Sequence, residues 1–122
     1  MSSNRGAALI ETLVASVILV SGVVAVASIF SFTTGANLRN RQGTTATMLL
    51  YDKMEQLRAM GSPAGGSLDP ANPILDFSDN PGGSFLRVWQ VQDSGTPSIT
   101  VAVFASIGSA PPLELARGTG PR

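Results

Sequence analysis

An α+β architecture is predicted here: one long N-terminal helix, membrane-spanning in its first half, with a small antiparallel sheet packed on its C-terminal half. Three observations predict it. Thr12 to Phe32 is an uncharged run of 21 residues dominated by Val, Ile, Leu and Ala. Leu50, Met54 and Leu57 then recur at spacings of three and four, with Ala46, Met60 and Leu49 extending the stripe. Finally "FLRVWQVQ" (85–92) and "ITVAVFAS" (99–106) are rich in β-branched and aromatic residues and stand either side of "DSGTPS".

As a helix, Thr12–Phe32 spans ~32 Å, enough for a hydrocarbon core of about 30 Å. Its aliphatic residues lie on all faces, so it is not an amphipathic surface helix. Helix character continues through 33–60, loosened at Thr33–Gly35 and at Gly43, and stops at Gly61 and Pro63. From Ala7 to Met60 the helix is expected to measure ~80 Å. Asp52, Lys53, Glu55 and Arg58 fall on the side away from the apolar stripe. The methionines are read as gap-filling core residues.

Residues 61–84 hold five glycines and four prolines and read as a long loop. Asp69, Asp76, Asp79 and Asn80 carry oxygens of the kind calcium takes, but their spacing fits no calcium loop. Turn formation is the favoured reading for them. The sheet is expected over 85–117. Ile99, Val101 and Val103 share a face that should pack on the helix around Leu50–Leu57. Trp89 is read as a packing residue, and "LELAR" (113–117) as a short edge strand after Pro111-Pro112. Gly118–Arg122 is expected to be a flexible tail.

Composition narrows the function. Eight basic and eight acidic side chains cancel, so no basic field points to nucleic acid. With no cysteine and no histidine, disulfides, the common zinc sites and Ser-His or Cys-His nucleophiles are excluded. No catalytic constellation is visible, no cofactor is implied, and an enzyme is not expected.

One residue is out of place. Glu11 stands at the head of the apolar run, where an acidic residue costs roughly 2.5–3.5 kcal/mol on insertion scales unless paired. A plain signal anchor would leave it at the headgroup boundary. A cleaved secretory signal, cut after Ala25-Val26-Ala27, would leave Ser28 as the new terminus, but the apolar run passes straight through that cut.

A third reading accounts for Glu11. Gly6-Ala7-Ala8-Leu9-Ile10-Glu11, after a short polar leader carrying Arg5 and before a long apolar helix, resembles the processing site of type IV pilins and type II secretion pseudopilins. Leu9-Ile10-Glu11 matches the family pattern, and Leu13, Val14 and Ala15 continue it. Ala7 stands where phenylalanine is common, and Ala8 where threonine is common. The resemblance implies a leader of residues 1–6, cleaved by a membrane-embedded prepilin peptidase between Gly6 and Ala7, with methylation of the new amine on Ala7. It implies a filament-core helix over 7–32, and a Glu11 carboxylate that attracts the amine of a neighbouring subunit during assembly.

"MEQLRAM" (54–60), the apolar-aromatic strand and the alternating strand after it look most like minor pilin V and pseudopilin I. The implied partners are other pilins or pseudopilins, the prepilin peptidase, an inner-membrane assembly platform and, before assembly, the lipid bilayer. The implied location is the inner membrane, single-pass, with 33–122 extracytoplasmic, and then the pilus or pseudopilus. Charge gives no orientation, because Arg5 precedes the run while Arg39 and Arg41 follow it. The competing class is a membrane-anchored extracytoplasmic binding protein in which 61–122 recognises a ligand and Glu11 is incidental.

Overall fold

A computed structural model describes residues 2–106 and 111–122. Helix α1 runs Ser2–Met60, and two compact units divide the chain, one up to Arg39 and the other Asn40–Arg122. The loosening expected at Thr33–Gly35 and Gly43 is absent. The Thr33 and Thr34 hydroxyls donate to the carbonyls of Ile29 and Phe30, one turn back, so they stay within the helical pattern. A single mid-helix glycine costs only about 1 kcal/mol relative to alanine. Helix α1 ends at Gly61, whose φ of 61° is the left-handed conformation of a C-terminal cap.

In the second unit, α1 packs on an antiparallel sheet. Its long strands are β3 (Phe85–Gln92), β4 (Ser98–Ala105) and β5 (Leu113–Pro121). Two short strands, β1 (Gly65–Gly66) and β2 (Ser78–Asp79), both pair with β3, so the sheet order is β1-β3-β4-β5 with β2 beside β1 on the same edge. The expected hairpin is present, in the register Val88↔Ala102 and Val91↔Ile99. The two-residue period puts Trp89 and Val91 of β3, and Ile99, Val101 and Val103 of β4, into one core with Ala46, Leu50, Met54 and Leu57. Val88, Ala102 and Phe104 point to the opposite face, where Leu68 and Leu86 cover them.

The segment 61–84 is more structured than a loop. Besides β1 and β2 it carries a 3-10 turn at Leu75–Phe77. A side chain at Gly66 would collide with the Trp89 carbonyl and with the Phe77 ring, so the backbone approaches β3 there as only glycine allows.

The expectation for the C-terminal residues is corrected. Gly118–Pro121 is the second half of β5, paired with Ser98–Val101, and not a flexible tail. A register shift at Val103/Phe104 leaves Leu115 as an extra residue between Glu114 and Ala116. Beyond it, the Thr100 and Thr119 hydroxyls lie 3.0 Å apart, Arg122 N donates to the Pro97 carbonyl at 3.3 Å, and Arg58 Nε donates to the Pro121 carbonyl at 3.1 Å. The alternation Gly118-Thr119-Gly120 is what lets β5 lie close under α1. A Cβ on Gly118 would stand 2.8 Å from Leu50 Cδ2 and 3.3 Å from Met54 Sδ. Alanine there asks Leu50 to shift; the branched valine leaves it no room. Gly118→Val should therefore destabilise the fold by ~1–3 kcal/mol, read as a lower urea midpoint by Trp89 fluorescence.

Candidate membrane segment and the charged cluster on the sheet

In the first unit, the apolar residues have no protein to pack against. Leu9, Leu13, Ile18, Leu19, Val23, Ile29 and Phe32 are all exposed, and the most apolar stretch of α1 has none of its length buried. A helix buried in a soluble core would be covered. The segment is long and apolar enough to cross a membrane.

Its polar side chains are arranged accordingly. Residues 7–32 contain five hydroxyls, on Thr12, Ser16, Ser21, Ser28 and Ser31. Each donates to a backbone carbonyl of the preceding turn, at 2.8 to 3.1 Å. No hydroxyl donor is left to be satisfied by water, which hydrocarbon could not supply. Glu11 cannot satisfy itself this way, because an ionised carboxylate only accepts. It is exposed, and among the described residues it makes no ion pair. Gly6 and Ala7 are exposed helical residues of α1. Since α1 begins at Ser2, Glu11 lies in its third turn; in a chain trimmed at Ala7 it would stand at the start of the second. A Cβ on Gly6 would meet nothing within 4 Å, so the fold makes no packing demand for glycine there.

The second unit holds a charged cluster that the sequence reading missed. Arg87 is in phase with Trp89 and Val91 on β3, so it points at α1, and it is only 7% exposed. Its Nε and Nη2 donate to the two oxygens of Asp79, each at 2.7 Å, forming a bidentate pair. Nη1 donates to the Leu49 carbonyl at 3.0 Å and reaches Asp52 Oδ2 at 3.4 Å. Lys53, assigned from sequence to the solvent side, is 8% exposed. Its Nζ donates to Asp79 Oδ2 and Gln56 Oε1, both at 3.3 Å, and sits 3.9 Å above the centre of the Trp89 ring. A lysine on the border of the apolar stripe lays its stem along apolar surface while its ammonium turns to such partners.

Burial works to raise the pKa of Asp79. The hydrogen bonds and positive charges of Arg87 and Lys53 outweigh it and hold the carboxyl below its ordinary value. The Asp79 hydrogen bond raises Arg87 above its ordinary value despite burial. The cluster thus ties helix, sheet and β2 together at one point.

The four possible calcium ligands do not converge. Asp79 is taken by the two cations. Asp69 accepts from Ala71 N at 2.9 Å and Asn72 Nδ2 at 3.3 Å, the turn role expected of it. Among the described residues no three His, Cys, Asp or Glu side chains gather where they could hold a metal.

Comparison with models of known protein families, with curated proteins and with solved structures finds no match. Fold and site by themselves define a class: an α+β protein in which one N-terminal helix is apolar enough to enter a bilayer and carries a small sheet on its other half.

Proposed function

We propose that this chain is a minor pilin or pseudopilin, a structural subunit that helps initiate or cap a type IV pilus or type II secretion pseudopilus. The observation that carries the reading is the lone carboxylate of Glu11. It follows Gly6 by five residues, in a stretch of α1, residues 7–32, whose hydroxyls all donate within the helix and whose apolar side chains are all exposed. Such a helix is stable in lipid and equally suited to packing among similar helices. Among the residues of that stretch, Glu11 alone carries a charge, and it makes no ion pair among the described residues.

On this reading the precursor waits in the inner membrane with its sheet outside the cytoplasm. Prepilin peptidase cuts after Gly6, Ala7 is methylated, and the subunit moves from lipid into the filament through the assembly platform. Glu11 then pairs with a neighbouring subunit's terminal amine, and the sheet surface selects neighbours.

The test is the intact mass and N-terminal peptide of the membrane-extracted protein from its native host. A chain starting at methylated Ala7 is expected, and Gly6→Val should yield no mature-length product. The empty space around Gly6 makes that substitution harmless to the fold. A start at Ser28, or an untrimmed leader, would overturn the reading and favour an exported protein or a membrane-anchored binding protein.

A further inference from the structure

The two edges of the sheet are finished differently. On one side, β1 and β2 pair with β3 at Arg87, Val88, Gln90 and Val91. On the other, nothing among the described residues pairs with the outer side of β5. We propose that this outer edge accepts an extended segment of a partner polypeptide as an added strand, with an apolar side chain of that segment lodged under Tyr51 of α1.

The ladder fixes which backbone groups are free. Arg122 N donates to the Pro97 carbonyl, so 97 and 122 face each other as a hydrogen-bonded pair. By alternation so do 99 with 120 and 101 with 118. The pairs between them, 98 with 121, 100 with 119 and 102 with 117, turn their N–H and C=O groups away from each other. Two contacts agree with this phase. The Thr100 and Thr119 hydroxyls meet at 3.0 Å, as the closer side chains of a non-bonded pair do, and the Pro121 carbonyl reaches outward to Arg58 Nε. The outward N–H and C=O groups of Arg117 and Thr119 have no partner among the described residues. Such a row of donors and acceptors is matched by another strand. The bulge at Leu115 closes one end of the row and Arg58 on Pro121 the other, and neither lysine nor proline guards the residues between.

Side chains select the chemistry of that strand. At about 100° per residue, Thr47, Tyr51 and Arg58 share one side of α1, the side from which Arg58 crosses to Pro121. Leu50 and Met54 lie above Gly118 and Gly120. Tyr51, 63% exposed, therefore overhangs the free edge. An added strand brings alternate side chains beneath it, where an apolar one takes the ring out of water. No free charge borders the edge, because Arg117 is held by Glu114 and Arg58 by Glu55. The fit is a neutral strand, apolar toward α1 and polar beside Arg117 and Thr119. The β5 strand of a second copy fits poorly, since it would turn Gly118 and Gly120 to that face and bring no side chain to Tyr51. This inference concerns the second unit alone and stands whether or not the chain enters a filament.

Amide hydrogen exchange of the full chain in detergent micelles, resolved by nuclear magnetic resonance, tests it. Without a partner, the Arg117 and Thr119 amides should exchange fast while Gly118 and Gly120, bonded to β4, are protected. The probe is acetyl-Lys-Thr-Val-Thr-Val-Thr-Lys-amide, and its control carries proline in place of the central threonine. At a Kd of about 1 mM, about 10 mM probe should slow the Arg117 and Thr119 amides about tenfold. The control should slow neither. Thr119→Pro removes one outward N–H and leaves the bonds to β4, as continued protection of Gly118 and Gly120 verifies; in it the slowing at Arg117 should vanish. Tyr51→Ala, at an exposed position, should weaken probe binding about fivefold. No slowing with the probe, equal slowing with the control, or undiminished binding by Tyr51→Ala would each overturn the proposal. So would protection of the two amides that grows with protein concentration and needs no probe, which would make the occupant a second copy.

Discussion

Arg87→Met should lower the stability of the helix-sheet unit by about 2–3 kcal/mol, although it keeps the length and apolar stem of the side chain. Three charge-assisted or carbonyl hydrogen bonds are lost, to Asp79 twice and to Leu49. The loss is limited because Asp79 retains Lys53 and some contact with water; its side chain is 32% exposed. A fully buried partner would cost more. Arg87→Lys should recover only part of the stability, since an ammonium cannot match both carboxylate oxygens. Thermal unfolding of the full chain in detergent, followed by Trp89 fluorescence, should show the midpoint of Arg87→Met lower by about 10 °C or more. A midpoint within a degree or two of wild type would mean that the cluster contributes nothing to holding helix and sheet together.

The same pair gives the unit an acid-sensitive component. Asp79 is held below its ordinary value of 3.8 in the folded state. A depressed carboxyl contributes stability that is fully present above the unfolded pKa and is lost as pH falls through the folded one. The wild-type midpoint should therefore fall between about pH 4 and more acidic values, and Arg87→Met, lacking the main cause of the depression, should fall less over that window.

The ways in which the sequence succeeded and failed here have physical causes. The apolar stripe and the β-rich pair were legible because burial imposes a period, and the residues named from those periods, Leu50, Met54, Leu57, Ile99, Val101 and Val103, do form one core. Gly118 and Gly120 misled in the opposite direction. Glycine has little strand propensity, so "RGTG" reads as a tail, while the property that matters is the missing Cβ beneath Leu50 and Met54. That requirement exists only once α1 lies across β5, and no local pattern encodes it.

The charged cluster was partly legible. Arg87 shares its phase with Trp89 and Val91, and an inward arginine on a strand demands a carboxylate. Which carboxylate answers depends on β2 folding back onto β3, a pairing of two residues inside a proline- and glycine-rich stretch. Glu11 is the converse case. Its oddity was visible in the sequence, and among the described residues it makes no ion pair.

That isolation sets the expectation for Glu11→Ala. Removing the carboxylate removes the charge penalty of roughly 2.5–3.5 kcal/mol on membrane insertion, so the variant should insert at least as well as wild type. The sheet belongs to the other compact unit, Asn40–Arg122, and its thermal midpoint should stay that of wild type. If Glu11 pairs with the methylated amine of a neighbour among packed apolar helices, alanine leaves that ammonium unpaired, at about 3–5 kcal/mol for a buried partner. Each 1.36 kcal/mol is tenfold in an equilibrium. Incorporation into filaments should thus fall at least about tenfold while the membrane-bound pool stays constant, and Glu11→Gln, which keeps the shape and loses the charge, should sit near alanine. Quantifying the variant in sheared filaments against the membrane fraction separates the effects. Normal incorporation would show that the carboxylate has no part in assembly; a depleted membrane pool would place its role at insertion or turnover instead. A carboxylate kept merely at the headgroup boundary predicts neither change, so the measurement distinguishes the filament subunit from the plain anchor even if the neighbour's identity is unknown.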